Sequence, residues 1–187
     1  MFKYYLVEDL MSLEVGEYLH DAHQILRQKI EDKYIDKVNS MAALAKYLQI
    51  ISGVGLVVLV DEITNTSKPR ILPNDASALF NLSLKLLVYA PERDERITGK
   101  IVTMDSSGIG ISLGFFNDIK IIPQLMPVNS KYDTEHRTWY REENGTKQFL
   151  KVNTTIQFTV VDVIYNEMND ASPDNQMPVM LVLGTVK

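Results

Sequence analysis

The chain has 187 residues, with 19 Lys plus Arg against 24 Asp plus Glu, a net charge of −5, 45% apolar residues and no Cys. That length suits one ordinary domain or two small ones, and the apolar content is enough to bury a core, which excludes a disordered tail. The lack of Cys excludes a disulfide scaffold, a Cys-ligated metal and a cysteine nucleophile, and it fits a reducing compartment. Residues 1–90 carry 9 basic and 11 acidic groups, and residues 91–187 carry 10 and 13. Neither half is a polycation, so any nucleic-acid contact must be weak, local or assisted by a partner.

The opening Met1–Asp9 turns acidic before the apolar stretch of a signal peptide can form. The longest apolar region, Leu48–Val60, is interrupted by Gln49, Ser52 and two glycines. It falls short of the roughly 20 residues a spanning helix needs. The reading is a soluble intracellular protein with no membrane partner, in which the Asn-x-Ser/Thr triplets at Asn65, Asn81, Asn144 and Asn153 carry no weight.

Phe2–Val7 reads as a short strand. From Glu17, Leu19, Ala22, Leu26, Ile30, Tyr34 and Val38 recur three or four apart, with Arg27, Lys29, Glu31, Asp32 and Lys33 between them. This is the pattern of an amphipathic helix. Asn39-Ser40 is a candidate break, and Met41–Tyr47 continues or restarts the helix. Val54–Val60 is a β-branched run suited to a strand buried on both faces. Asp61–Pro73 is polar and reads as a loop. Asn81–Leu86 alternates polar and apolar, as a half-buried strand does. Residues 1–90 are therefore expected to form a small α/β unit.

Ala90–Arg96 is a charged joint containing Pro91, and the domain boundary is placed there. Beyond it come only short strands: Ile97–Thr103, Ile109–Leu113, Ile119–Ile122, Thr154–Ile164 and Val179–Val186. Two connections are long, Pro127–Val152 and Tyr165–Pro178. Five strands with glycine-rich bends suit a small Greek-key barrel of the OB type over residues 91–187. The fold class expected is α+β, an N-terminal α/β tip domain followed by a five-stranded OB-type barrel.

Candidate chemistry is sparse. His20 and His23 are one helical turn apart, but nothing nearby completes a metal-ligand set and His136 is distant. Gly108-Ile109-Gly110-Ile111-Ser112-Leu113-Gly114 has the wrong spacing for a dinucleotide fingerprint, and its glycines are better explained by barrel bends. Glu142-Glu143 sits in a hydrophilic loop, where solvation outweighs acid–base work. No nucleophile or phosphate-loop motif occurs, so no active site is expected. What remains is recognition: Lys100 and Lys120 on barrel strands, Phe115 and Phe116 in a bend, and Lys131, Tyr132, Arg137, Trp139, Tyr140, Arg141 and Lys147 in the long loop. Rings among cations suit single-stranded nucleic acid, although such rings more often pack on the barrel itself.

Several strings in order resemble the larger stalk subunit of archaeal and eukaryotic DNA-dependent RNA polymerases. Met1-Phe2 leading to Val7-Glu8-Asp9-Leu10 is similar to the family's first strand. Gly53–Asp61 is similar to its central apolar strand. Ile71-Leu72-Pro73-Asn74-Asp75-Ala76-Ser77 resembles its turn, with Asn74 and Ala76 in place of two glycines. Gly108–Ile119, with Ser112-Leu113-Gly114-Phe115-Phe116, the Trp139 insertion, Ile156–Asp162 and Leu183–Val186 resemble the RNA polymerase III paralogue. The resemblance implies a non-catalytic, nuclear subunit without cofactors, paired with a small helical partner and docked on the polymerase core. It would face nascent single-stranded RNA, bound weakly, and initiation factors. By position in the matching segments, Leu13, Val15, Ile71, Pro73 and Asn74 would face the core. Lys100, Lys120, Phe115, Arg137, Trp139 and Arg141 would face RNA. The alternatives are the equivalent RNA polymerase II subunit and a free-standing OB-type RNA-binding protein.

Overall fold

The computed structural model describes residues 1–18, 21–34, 50–51, 53–71, 77–143, 145–166 and 178–186. The chain divides into two compact units, one drawn from within residues 2–90 and the other chiefly from residues 91–187.

The N-terminal unit is an antiparallel sheet with a helix on one face. Its elements are β1 (Phe2–Glu14), α1 (Val15–Tyr18), α2 (Ala22–Tyr34), β2 (Ile50–Ile51), β3 (Gly55–Thr66), β4 (Arg70–Ile71) and β5 (Ser77–Tyr89). The strand order is β1-β5-β3-β2, with β4 also paired to β5. β1 and β5 pair without a bulge from Phe2 opposite Tyr89 to Glu14 opposite Ser77. In β5 every second residue from Ala78 to Val88 is buried. The same face of β1 adds Tyr5, Val7, Met11 and Leu13, and α2 lays Leu26, Ile30 and Tyr34 over them. Burying side chains of this size stabilises the unit by roughly 1.5–3 kcal/mol each.

Local chemistry sets the ends of the helix and ties it to the sheet. Asp21 caps α2, its Oδ1 accepting from the backbone N–H of His23 and Gln24 at 3.2 and 3.3 Å. Lys33 Nζ donates to both carboxylate oxygens of Asp9 at 2.8 and 2.7 Å, and the Tyr34 hydroxyl donates to Asp9 Oδ2 at 3.0 Å. Asp9 lies on the covered side of β1, and these two partners are what let a carboxylate sit there.

Two strands are longer than their patterns suggest. β1 does not end at Val7, because Glu8 points to solvent and Asp9 is paired. β3 continues through Asp61–Thr66, where a loop is expected, because its polar residues fall largely on the exposed side and three register shifts adjust its pairing with β5. The helix pattern from Glu17 splits into α1 and α2, and the continuation over residues 35–49 lies outside the described residues.

The second unit contains β6 (Arg96–Asp105), β7 (Gly108–Ser112), β8 (Ile119–Ile121), β9 (Ser130–Asp133), β10 (Thr138–Glu143), β11 (Thr146–Phe149), β12 (Thr155–Tyr165) and β13 (Met180–Thr185). β12-β13-β8-β7-β6 form a closed barrel, sealed where β12 pairs with β6 and carrying one parallel pair, β8 with β13. This is the expected OB-type barrel, and the chain is α+β. Its interior holds Ile97, Ile101, Ile109, Ile111, Phe116, Ile119, Ile121, Phe158, Val160, Met180 and Val182. Gly108 makes the bend after β6 with φ of +138°, and a Cβ there would collide with the Ile121 carbonyl.

The Pro127–Val152 connection is expected as a loop and is instead a three-stranded sheet, β11-β10-β9. Residues 167–177 of the other long connection lie outside the described residues. No described helix is long and apolar enough to cross a membrane.

Burial, and then the Asp9 charge, push the Tyr34 hydroxyl up from 10.0 to about 12. The folded chain therefore keeps a proton that the unfolded chain releases, and this contribution to stability is lost as pH rises from about 10 to about 12. Tyr34→Phe should lower stability at neutral pH by about 1.5–3 kcal/mol, the worth of a hydrogen bond to a charged group. It should also flatten the alkaline decline, read by urea unfolding across that pH range.

Candidate functional site

Register collects the barrel candidates on one outer face. Lys100 on β6 pairs with Ser112 on β7, and Lys120 on β8 pairs with Gly110. Ser112 and Gly110 are two apart on one strand, so both lysines project from the same side of β6-β7-β8. Gly110 leaves the centre of that face low, since a Cβ there would strike Thr103 Oγ1. Lys100 is exposed, whereas Lys120 Nζ donates to Ser107 Oγ at 2.8 Å.

Ser107 belongs to the β6–β7 bend, where Asp105 accepts from both its hydroxyl and its backbone N–H. These bonds, the hydroxyl's first, hold the Asp105 carboxyl below the usual carboxylate range. Burial pushes the neighbouring Asp118 carboxyl up. Thr103, Asp105, Asn117, Asp118 and Lys120 thus line a shallow depression of mixed charge.

Of the two rings in the β7–β8 bend, Phe116 is buried in the barrel and Phe115 is half-buried. Trp139 is only 6% exposed, and its Nε1–H donates to the Asp105 carbonyl oxygen at 2.8 Å. Its ring also packs against Tyr132 at 5.5 Å. An indole so placed anchors β10 to the barrel and leaves little of its ring open for a base to stack on. Arg141, two residues along β10, is half-buried beside Trp139 in a cavity of about 230 Å³ with Ile109, Ile121 and Ile156. Arg137 is exposed at the β9–β10 turn, with φ of 50°.

The residues expected to face the core separate in the same way. Leu13 is fully buried under α2, so it supports the sheet and presents no surface. Ile71 on β4 is 72% exposed. Val15 lies in α1, and Pro73 and Asn74 lie outside the described residues.

What the local sequence does not announce is the bare face of the N-terminal sheet. Opposite the helix-covered side, β1 presents Phe2, Tyr4, Leu6 and Leu10, and β3 presents Leu59, all exposed, with Leu6 at 75%. Lys85 stands among them, 2.8 Å from Asp61 and 4.5 Å from the centre of the Tyr4 ring. The signal for this face is the apolar content at even positions 2, 4, 6 and 10, broken by Glu8 and visible only once β1 is known to run to Glu14.

Of the histidines, His20 lies outside the described residues and His23 is exposed on α2. His136 comes close to Asp133 and Glu135 at the β9–β10 turn. Asp133 there already accepts from the backbone N–H of Glu135 and His136 and lies 2.8 Å from the His136 ring. Those bonds, the ring's first, hold its carboxyl below its usual range and account for the cluster as a turn.

A helix-covered antiparallel sheet in one unit and a closed five-stranded OB-type barrel in the other define the class of fold. Comparisons with known proteins are consistent with it. Residues 95–179 match the family described as RNA polymerase III subunit Rpc25. The chain is 26% identical over 152 residues to DNA-directed RNA polymerase III subunit RPC8 of Bos taurus, covering 79% of this chain and 72% of that one. It is 26% identical over 174 residues to the subunit rpc8 of Dictyostelium discoideum, covering 92% and 64% respectively. It is 17% identical over 163 residues to DNA-directed RNA polymerase subunit Rpo7 of Saccharolobus shibatae, covering 87% and 83%.

The chain is therefore similar, over most of its length, to subunits of DNA-directed RNA polymerases. Within that class its similarity is greater to the RNA polymerase III subunit RPC8 than to the archaeal Rpo7.

Trp139→Phe should cost about 2–4 kcal/mol, from a smaller ring in a packed site and an orphaned Asp105 carbonyl. Urea unfolding followed by circular dichroism measures it, and a loss under about 0.5 kcal/mol, the range of an ordinary surface substitution, would contradict the anchoring role.

Proposed function

We propose that the chain is a non-catalytic stalk subunit of RNA polymerase III, working in the nucleus in transcription initiation. In this reading the N-terminal unit, residues 1–90, docks on the polymerase core and on a small helical partner. The barrel, residues 91–187, contacts nascent RNA and initiation factors. The observation that carries the reading is the bare apolar sheet face of Tyr4, Leu6, Leu10 and Leu59. A row of large apolar side chains left in water on a sheet whose other side is already covered marks a protein interface. The similarity to RPC8 supplies the kind of assembly in which that face is filled.

On the core side, Ile71 is the exposed apolar contact, with Val15, Pro73 and Asn74 assigned by position in the matching segments. On the RNA side, Lys100 and Lys120 share one outer face, with Phe115, Arg137 and Arg141 as further contacts. A barrel in a chain of net charge −5 needs little affinity of its own when held beside emerging RNA. Tethering raises the effective concentration to roughly millimolar.

Affinity purification of the tagged chain from its own cells, followed by mass spectrometry, should recover the largest subunits of RNA polymerase III and one small helical protein. The double substitution Tyr4→Asp with Leu6→Asp should lower recovery of the small partner at least about 10-fold, the effect of desolvating charge in an apolar interface. Recovery with RNA polymerase II largest subunits, or as a lone chain, would overturn the assignment. Separately, Lys100→Glu with Lys120→Glu should weaken binding of a short oligouridylate at low salt by roughly 10-fold and reduce its salt dependence. Unchanged affinity would remove that face.

A further inference from the structure

β1 is the edge of the N-terminal sheet. It pairs with β5 on one side, and among the described residues no strand lies along the other. Along such a strand, alternate residues turn their backbone N–H and C=O groups toward the neighbour and toward the open edge. In β1 the even-numbered residues face outward, as three contacts show. The Leu10 N–H donates to Asp9 Oδ1 at 2.9 Å, and the Glu14 N–H donates to Glu17 Oε2 at 2.9 Å. Between them the Ser12 carbonyl oxygen accepts from Lys29 Nζ at 3.1 Å.

An open strand edge is a template for pairing with another chain, and native sheets blunt it. This edge is blunted by its own side chains from Leu10 onward and left open before it. The outward backbone groups of Tyr4, Leu6 and Glu8 have no hydrogen-bond partner among the described residues. All three residues are exposed, and neither a bulge nor a proline interrupts the stretch.

We propose that the open edge at Tyr4, Leu6 and Glu8 pairs antiparallel with the same edge of a second copy of this chain, about a two-fold axis at Leu6. Three outward residues in a row are symmetric about the middle one. Leu6 then exchanges both hydrogen bonds with Leu6 of the second copy, and Tyr4 does the same with Glu8 in each direction. Every open group on the three residues is satisfied, and the capped groups of Ser12 and Glu14 lie beyond the pairing. Charge favours this register as well. It sets Lys3 opposite Asp9 and Tyr4 opposite Glu8, so no like charges meet. An axis at Glu8 would bring two carboxylates face to face and run Tyr4 onto the capped Ser12. An axis at Tyr4 would leave Glu8 unpaired. Directly opposed residues share one side of a sheet, so the two bare faces would join with Leu6 against Leu6 at the centre. This pairing uses the strand's edge and does not depend on the chain's residing in a polymerase.

Sedimentation equilibrium of the full chain purified alone, over roughly 1–100 μM to bracket a micromolar association, tests it. The mass should move from 21.3 kDa toward twice that value as concentration rises. Leu6→Pro removes an outward N–H and leaves the ladder to β5 intact. It should weaken association at least about 10-fold, because the opposing carbonyl loses its donor, with the circular dichroism spectrum unchanged. The chain has no Cys, so a single introduced thiol reads the register. Leu6→Cys places two thiols across the axis at a Cα separation of about 5.5 Å, within disulfide range, and mild oxidation should give a covalent dimer. Leu10→Cys, on the same exposed face, places them eight positions apart, about 27 Å at roughly 3.4 Å per residue, and should give none. A mass fixed at 21.3 kDa throughout, association undiminished in a folded Leu6→Pro, or cross-linking of Leu10→Cys as complete as that of Leu6→Cys would each overturn the proposal. Should Leu6→Pro lose its fold, the two thiol variants decide alone.

Discussion

The pairing of β1 with β5 is the constraint from which the N-terminal unit follows. Thirteen residues of each strand face one another without a bulge, so side chains alternate strictly between two faces along the whole length. One slip would exchange the faces entirely, and the apolar set of β5 fixes which one is buried. α2 can cover only one of them. The other keeps its apolar residues at Tyr4, Leu6 and Leu10 and stays bare, so the exposed apolar face is a geometric by-product of the same register that builds the core.

The barrel unit uses its polar groups differently. Asp105 makes its bend with Ser107, Ser107 receives Lys120, and the Asp105 carbonyl receives Trp139. One bend thus steadies a surface lysine and fastens the β9-β10-β11 sheet to the barrel. Indole and lysine are separate side chains with separate destinations, one inward and one outward, linked through one short turn.

The barrel was largely legible in the sequence, because its strands are short, apolar and separated by glycine-rich bends. α2 was legible from the spacing of Leu26, Ile30 and Tyr34. The true length of β1 was not, because Glu8-Asp9 reads as the end of a strand unless Lys33 and Tyr34 are known to meet Asp9. The inserted sheet was missed because Tyr132, Trp139 and Tyr140 stand alone among polar residues in Lys131–Lys147, too few apolar positions to show a period of two. Trp139 shows how little composition says about where a ring goes. A ring among cations suits stacking and packing equally, and only the carbonyl of Asp105, thirty-four positions earlier in the chain, decides between them.

The seam that closes the barrel joins β6 to β12, partners separated in the chain by the whole inserted sheet. The entropy of closing such a span grows only with the logarithm of its length. Away from Trp139 and the side chains packed on it, residues between β8 and β12 can therefore be lengthened, trimmed or rewritten with little penalty to the barrel, as long as the two seam strands still meet. The insertion is accordingly the region of this architecture freest to acquire lineage-specific behaviour while the scaffold beneath it stays the same.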